Sequence, residues 1–164
     1  MHSEGAQLFC DVCGKRWVWQ EDGYLKATEG ETEFDHIPDW FAWERQQVKE
    51  QIENGTYSFE DEVIVYSLPR VLRYIPLGKA KLTHDSENGF QLEGYYRDAK
   101  YYIHREPAQT TSLHVEYDFG PLKSRDFVDI STENDSFYCH ITTPGMITKL
   151  GFATEELYLR SQKK

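Results

Sequence analysis

The fold is decided around one stretch in the middle of the chain, Leu82-Thr-His-Asp-Ser-Glu-Asn-Gly-Phe90. Asn88-Gly89 is a turn signal that commonly joins two antiparallel strands, because both residues tolerate a positive φ. Apolar and polar residues alternate on either side of this turn, so the stretch predicts a β-hairpin. The same alternation extends from residue 62 to about residue 142, which predicts that this region is antiparallel sheet.

Eight short segments in this region have the Val, Ile, Tyr and Phe content typical of strands. They are residues 63–68, 71–77, 80–84, 90–93, 100–104, 112–119, 127–131 and 137–141. Glycine, asparagine and aspartate clusters separate most of them, as expected of turns. Strands at a regular spacing of about 8 to 14 residues predict an antiparallel sandwich or barrel.

Helical periodicity lies on both sides of the predicted sheet. Residues 38–54 form one predicted helix, in which Phe41, Val48 and Ile52 share a face, and Asn54-Gly55 supplies the stop. A second helix is predicted to follow Thr143-Pro144, with an apolar seam. The seam consists of Met146, Leu150, Ala153 and Leu157.

Seven or eight antiparallel strands followed by one amphipathic helix resemble the element order of pleckstrin-homology and GRAM-like barrels. We therefore expect an α+β fold, with a barrel of that kind and its C-terminal helix at residues 59–164. Residues 36–58 are predicted to be a linking amphipathic helix. Residues 1–35 are predicted to be a partial zinc-ribbon-like hairpin, too poor in apolar residues to form a core alone.

The charge balance restricts the classes of partner. The chain has 164 residues, a formal net charge of −10 and no apolar run near the roughly 20 residues that span a bilayer. A surplus of acidic residues disfavours nucleic acid as a partner, because phosphate binding needs Lys and Arg. Three cysteines do not make a disulfide framework, which fits a reducing compartment. We expect a cytoplasmic protein, with peripheral membrane attachment as an open alternative.

The strongest chemical motif is Cys10-Asp-Val-Cys13-Gly14. Two thiolates at this spacing, followed by a glycine, are typical of one knuckle of a zinc ribbon, whose structural site takes four ligands. The sequence therefore predicts half a zinc site at Cys10 and Cys13. The other ligands would come from before Met1, from His2 and His36, or from a second chain. Inert surface cysteines and a redox dithiol are the alternatives.

A basic stretch follows the first predicted strand. No acidic residue occurs between Glu62 and Asp85, whereas the stretch contains four basic residues. These are the candidates for a lipid-headgroup site: Arg70, Arg73, Lys79 and Lys81. Basic side chains near an anionic membrane contribute about 1 kcal/mol each. A solvated strand face, or a contact with an acidic neighbour, explains the same pattern.

The histidines offer weaker signals. His84-Asp85 precedes a turn, which favours a capping pair over a metal site. His114, Glu116 and Asp118 alternate along one predicted strand, and with His140 they could form a cation site. A polar outer sheet face gives the same pattern. Cys139 is predicted to be a small buried residue.

Several strings resemble one known family. They include Cys10-Asp-Val-Cys-Gly-Lys-Arg-Trp17, Glu29-Gly-Glu-Thr-Glu-Phe34, His36-Ile-Pro-Asp-Trp40 and Ala153-Thr-Glu-Glu-Leu-Tyr158. Together they resemble the C-terminal region appended to 1-acyl-sn-glycerol-3-phosphate (lysophosphatidate-type) acyltransferases of anaerobic Firmicutes. The catalytic motif of that family, His-x-x-x-x-Asp, does not occur in this chain.

The resemblance implies a non-catalytic accessory or regulatory domain of a glycerophospholipid acyltransferase. Such a domain would regulate the enzyme or position it at the membrane, with an N-terminal acyltransferase domain as its partner. The alternative from the composition is a stand-alone protein-interaction module with an acidic surface. A metal-dependent enzyme using His114, Glu116 and His140 is a third interpretation.

Overall fold

The computed structural model describes residues 2–10, 13–69, 73–116, 126–143 and 145–163. The side chains of His2 and Pro69 are outside this description. The chain divides into two compact units, residues 1–47 and 48–164. Together they contain two antiparallel sheets and two α-helices, so the expected α+β class is confirmed.

The first unit contains a four-stranded antiparallel sheet in chain order. Its strands are β1 (His2–Glu4), β2 (Gln7–Phe9), β3 (Arg16–Trp19) and β4 (Leu25–Ala27). Strands β3 and β4 form a hairpin within residues 1–35, in which Trp19 pairs with Leu25. Strand β1 escaped sequence analysis because its three residues are polar and carry no apolar alternation.

The core of this unit is small. Trp17, Leu25 and Ala27 are its buried residues, and Leu8, Cys10 and Trp40 pack against them as partly buried neighbours. The rings of Trp17 and Trp40 meet edge to face at 4.9 Å. So few buried side chains give little hydrophobic stabilisation.

Helix α1 (Ile37–Glu53) matches the helix predicted for residues 38–54. It ends where Gly55 adopts a φ of +74° and its N–H donates to the carbonyl of Ile52 at 3.3 Å. Val48 and Ile52 are buried as predicted, but Phe41 is about half exposed. The prediction for Phe41 was wrong because periodicity identifies a shared face without showing that a neighbour covers it along the whole helix.

The second unit contains a seven-stranded antiparallel sheet, in the order β8-β7-β6-β5-β11-β10-β9. Its strands are β5 (Ser58–Pro69), β6 (Ile75–Asp85), β7 (Gly89–Tyr96), β8 (Ala99–Arg105), β9 (His114–Glu116), β10 (Phe127–Ser131) and β11 (Asp135–His140). The hairpin predicted at Asn88-Gly89 is confirmed as the β6–β7 connection. Pairing between β5 and β11 brings the first and last strands together.

Two sheet predictions were wrong. The sheet is not a closed barrel, because its two outer strands, β8 and β9, do not pair within the described residues. The strands predicted at 71–77 and 80–84 were expected to be separate, but residues 75–77 and 80–84 belong to one strand, β6, which passes through a bulge, and residues 71–72 lie outside the described residues. Gly78 adopts a φ of +95° at the bulge, and the register against β5 shifts between Val65 and Tyr66. Gly78, a glycine inside an alternating segment, therefore marks a bulge within one strand and not a turn between two strands.

Helix α2 (Met146–Ser161) packs on the core of the second unit. Leu150, Ala153 and Leu157 of the predicted seam are buried, as is Cys139. The helix begins at Met146, shortly after Thr143, whose backbone N–H donates to the carboxylate of Asp61 at 3.0 Å. Neither helix has the length and apolarity needed to cross a bilayer within the described part of the chain.

Candidate functional site

The cysteine motif forms the connection between β2 and β3. The Gly14 N–H donates to the Cys10 carbonyl at 2.8 Å, and the Cys10 N–H donates to the Lys15 carbonyl at 2.9 Å. Gly14 adopts a φ of +72°, which a β-carbon would strain. These bonds close a tight loop that contains both cysteines. Cys13 is exposed and Cys10 is half-buried at the edge of the small core.

The donors near this loop fit half of a zinc site. Thiolate sulfur is a preferred zinc ligand, but a structural site takes four donors. No group of three or more His, Cys, Asp and Glu side chains is placed for a metal among the described residues. The Trp17 indole N–H is buried and has no acceptor in the described part of the chain, so the neighbouring core contains one unsatisfied donor.

His36 does not complete this site from within the chain. Its ring lies 5.5 Å from the ring of Tyr24, and Leu25 donates its N–H to the carbonyl of Asp35. Tyr24 and Leu25 are at the end of the β3–β4 hairpin that is remote from the cysteine loop. The side chain of His2 is not described, but its backbone pairs with Phe9, one residue before Cys10.

Lys15 ties the cysteine loop to the segment after β4. Its ammonium group forms an ion pair with Glu33 and donates to the carbonyl of Glu31 at 2.5 Å. The hydrogen bond from Lys15 lowers the pKa of Glu33. The same ammonium lies 5.6 Å from the centre of the Trp17 ring. The ammonium group of Lys15 is thus already paired with a carboxylate.

The basic stretch is neutralised by the neighbouring strand. Lys79 pairs with Glu62 at 2.6 Å, and Lys81 pairs with Glu60 at 2.9 Å, all on an exposed sheet face. Lys81 also lies opposite Glu93 of β7 in the strand register. The absence of acids from this stretch of sequence therefore does not make a basic surface, because acids of β5 and β7 flank it.

The remaining two headgroup candidates lie before β6. Arg73 is exposed just before β6 begins. Arg70 lies outside the described residues. The structure therefore brings together Lys79 and Lys81 of the four predicted residues, each with a carboxylate partner.

His84 is a core residue. Its side chain is buried and stacks on Phe90 at 4.0 Å, and its Nδ1 lies 2.8 Å from the Tyr57 hydroxyl. Burial lowers the pKa of His84 to about 4, although the charge of Asp85 opposes this. Asp85 does cap the turn, as predicted, by accepting the N–H of Glu87 at 2.8 Å. Neither residue is placed for catalysis.

The predicted cation site is divided by an aromatic ring. His114 contacts Glu116 at 2.9 Å, but Phe127 lies between Glu116 and His140 in the strand register. Residues two strands apart are separated by roughly 9.5 Å, too far for donors to share one ion. His140 instead places Nδ1 3.1 Å from the Asp126 carbonyl. Asp118 lies outside the described residues.

One surface was missed by sequence analysis. The first unit exposes several aromatic side chains, including Trp19, Tyr24 and Trp43. The signal was present in the sequence, since residues 27–44 contain six acidic residues and no lysine or arginine beside four aromatics. Regular periodicity does not reveal such a surface, because it depends on which side chains are left uncovered.

The comparisons with known proteins add no family assignment. No protein-family model matches the chain, and no curated protein matches it significantly. The residues themselves and the sequence resemblance given earlier are therefore the basis for a function.

Proposed function

We propose that this chain is a non-catalytic accessory domain of a glycerophospholipid acyltransferase, which it regulates or positions at the membrane. The sequence resemblance supplies the enzyme class. A pleckstrin-homology-like architecture for the second unit is part of the proposal. The strand order, with β5 beside β11 and a C-terminal helix, supports it.

The observation that carries the non-catalytic role is that three histidines contact structural partners. His84 is buried against Tyr57, His104 contacts the Asn88 carbonyl at 2.7 Å, and His140 contacts the Asp126 carbonyl. A general base must reach the proton that it removes, and in each of these three rings one nitrogen already contacts a structural partner. Such an arrangement supports a scaffold that acts through its surfaces.

An acyltransferase assay tests this role. The catalytic domain of an acyltransferase from the family that the chain resembles is assayed on lysophosphatidate vesicles, with and without the purified chain. We expect direct binding and at least a twofold change in kcat or KM. Neither binding nor a kinetic change at saturating chain concentration would refute the accessory role.

The charge pairing favours attachment through protein over attachment through lipid headgroups. Vesicles of phosphatidylcholine with phosphatidylglycerol should not sediment the chain at low or moderate salt. Glu60→Gln with Glu62→Gln releases Lys79 and Lys81, and this variant should sediment at low salt only. If the unmodified chain sediments, and Lys79→Ala with Lys81→Ala prevents it, the headgroup site is restored as the attachment route.

Zinc at Cys10 and Cys13 is the second part of the proposal. When bound, the ion would supply a structural cross-link between the ends of β2 and β3. Cys10 and Cys13 would donate two thiolates, with the remaining donors arriving from outside the described residues. Zinc analysis of the purified chain and of its Cys13→Ser variant measures this directly.

A stand-alone interaction module remains the second candidate function. The net charge of −10 favours it, since a strongly acidic surface attracts basic partners. The identity of the binding partner distinguishes this module from the accessory role. Full-affinity binding to an unrelated basic protein, with none to the acyltransferase domain, would support the stand-alone module.

A further inference from the structure

We infer that the first unit binds a basic amphipathic segment of a partner protein through an exposed aromatic surface. This aromatic surface is defined by Tyr24, Ile37 and Trp43, together with the carboxylates of Asp35 and Asp39. The inference deepens the proposed interaction role and rests on it. It names the chemistry of the partner, which the proposed function leaves open.

The aromatic residues of this surface are about half exposed. Tyr24 is 50% exposed and Trp43 is 48% exposed, which is comparable with Tyr102 of the second unit at 54%. Large aromatic side chains are normally covered, and exposed groups of them mark interaction sites. All four tryptophans of the chain lie in residues 1–47, although this unit buries only three hydrophobic residues.

The rings are connected to one another within the unit. Tyr24 lies 5.5 Å from His36, which directly precedes Ile37, the first residue of α1. Phe34 lies 5.5 Å from Trp43 and 5.6 Å from Trp40. These contacts link the β3–β4 turn, the segment after β4 and the first turns of α1. The exposed rings thus belong to neighbouring elements of one small unit.

The charge around these rings selects the partner. The first unit contains ten acidic and four basic residues. Asp35 and Asp39 are exposed and form no ion pair within the described residues, whereas Glu33 is already paired with Lys15. Lysine and arginine complement both features, because they attract carboxylates and stack on aromatic faces. An anionic membrane would be repelled by the same charge.

A peptide titration tests the inference. The probe is a fluorescein-labelled 18-residue helix with leucine on one face and lysine on the other. Its anisotropy should rise when the chain is added, with affinity falling as salt rises from 50 to 200 mM. A leucine–glutamate peptide of the same length and pattern should not bind. Trp43→Ala should weaken binding about tenfold, as expected of an exposed aromatic anchor.

Charge variants keep the test valid if Trp43→Ala disturbs folding. Asp35→Asn with Asp39→Asn should weaken binding about fivefold. The matched control is Asp98→Asn with Glu133→Gln, two exposed acids of the second unit, which should bind as the unmodified chain does. Equal losses for both pairs would overturn the inference, since they would show attraction to net charge alone.

Two further outcomes also overturn it. Undiminished binding by Trp43→Ala and by the Asp35/Asp39 variant would place the peptide elsewhere. Blue-shifted tryptophan emission with phosphatidylcholine vesicles, without peptide binding, would assign the aromatic surface to a membrane. Peptide binding without any effect on the acyltransferase would uphold this inference while refuting the accessory role, so the two failures are distinguishable.

Discussion

The two units of this chain contrast in how they are stabilised. Among the described residues, the core cluster of the first unit contains three buried hydrophobic residues, whereas the main core of the second contains eighteen. Hydrophobic stabilisation scales with buried apolar area, so the core of the second unit contributes far more to stability than that of the first. This difference is the reason for proposing that a metal or a partner stabilises the first unit.

The largest expected effect comes from removing the cysteine pair. Cys10→Ser with Cys13→Ser should abolish zinc binding and shift tryptophan emission to the red, because all four tryptophans report on the first unit. Structural zinc contributes on the order of 10 kcal/mol to complete sites, and a half site less. Far-UV circular dichroism should retain the sheet signal of the second unit. Unchanged zinc content and emission would show that the cysteine pair neither binds zinc nor stabilises the first unit.

The control for the cysteine pair is Cys139→Ala. Cys139 is fully buried in the second unit, and burial strongly raises the pKa of its thiol. Its loss should leave zinc content unchanged while lowering the stability of the second unit. A fall in zinc content in this variant would contradict the assignment of the metal to the first unit.

The second effect concerns the β6–β7 turn. Gly89 has a φ of +66°, and a β-carbon there would lie 2.3 Å from the Arg105 carbonyl oxygen. Gly89→Ala should lower the free energy of unfolding by about 3 kcal/mol or more, measured by urea titration. Gly78→Ala is the matched control, because Gly78 also has a positive φ but a β-carbon there would meet no atom within 4 Å.

Gly78→Ala should lower the free energy of unfolding only by the backbone strain of the positive φ, about 1–2 kcal/mol. Equal losses for the two alanine variants would show that close packing at Gly89 adds nothing. Tryptophan emission should remain unchanged in both, since both glycines belong to the second unit.

The third effect is a dependence of stability on pH. Burial lowers the pKa of His84 to about 4, below its ordinary value of 6.5. Between these values the unfolded chain binds more protons than the folded chain, so stability falls as pH falls through this window. The full loss is about 3 kcal/mol. Urea titrations at pH 7 and pH 4.5 should show most of it, and His84→Gln should reduce the difference.

The smallest effect comes from an unsatisfied hydroxyl. The Tyr101 hydroxyl is buried without a hydrogen-bond partner in the described part of the chain, and burial raises its pKa to about 12. Tyr101→Phe should therefore leave stability unchanged or raise it by about 1 kcal/mol. Tyr102→Phe, at a 54% exposed neighbour, should have no effect. A loss of more than about 1 kcal/mol for Tyr101→Phe would mean that the hydroxyl is bound.

Much of the local structure was predictable. The helix predicted at 38–54 is Ile37–Glu53, and the strand predicted at 127–131 is Phe127–Ser131. These elements carry their signals within a few residues, through periodicity, turn residues and stops. The tight loop around Cys10 and Cys13 was predictable in the same sense, and zinc binding there stays a prediction.

The errors arose where distant residues decide the outcome. Lys79 and Lys81 read as a basic stretch, but their carboxylate partners lie on another strand, seventeen or more residues away. His114, Glu116 and His140 read as a group, but the register inserts Phe127 between two of them.

The sequence by itself determined the types of element, the β6–β7 turn, the helix stop at Asn54-Gly55 and the cysteine loop. Only the tertiary structure decided that β5 lies beside β11, that the sheet stays open, that His84 is buried and that aromatic rings of the first unit are uncovered. The physical reason is the distance along the chain over which each kind of interaction acts. Backbone preferences and turn chemistry act between near neighbours, whereas burial and charge pairing depend on which strands meet across the fold.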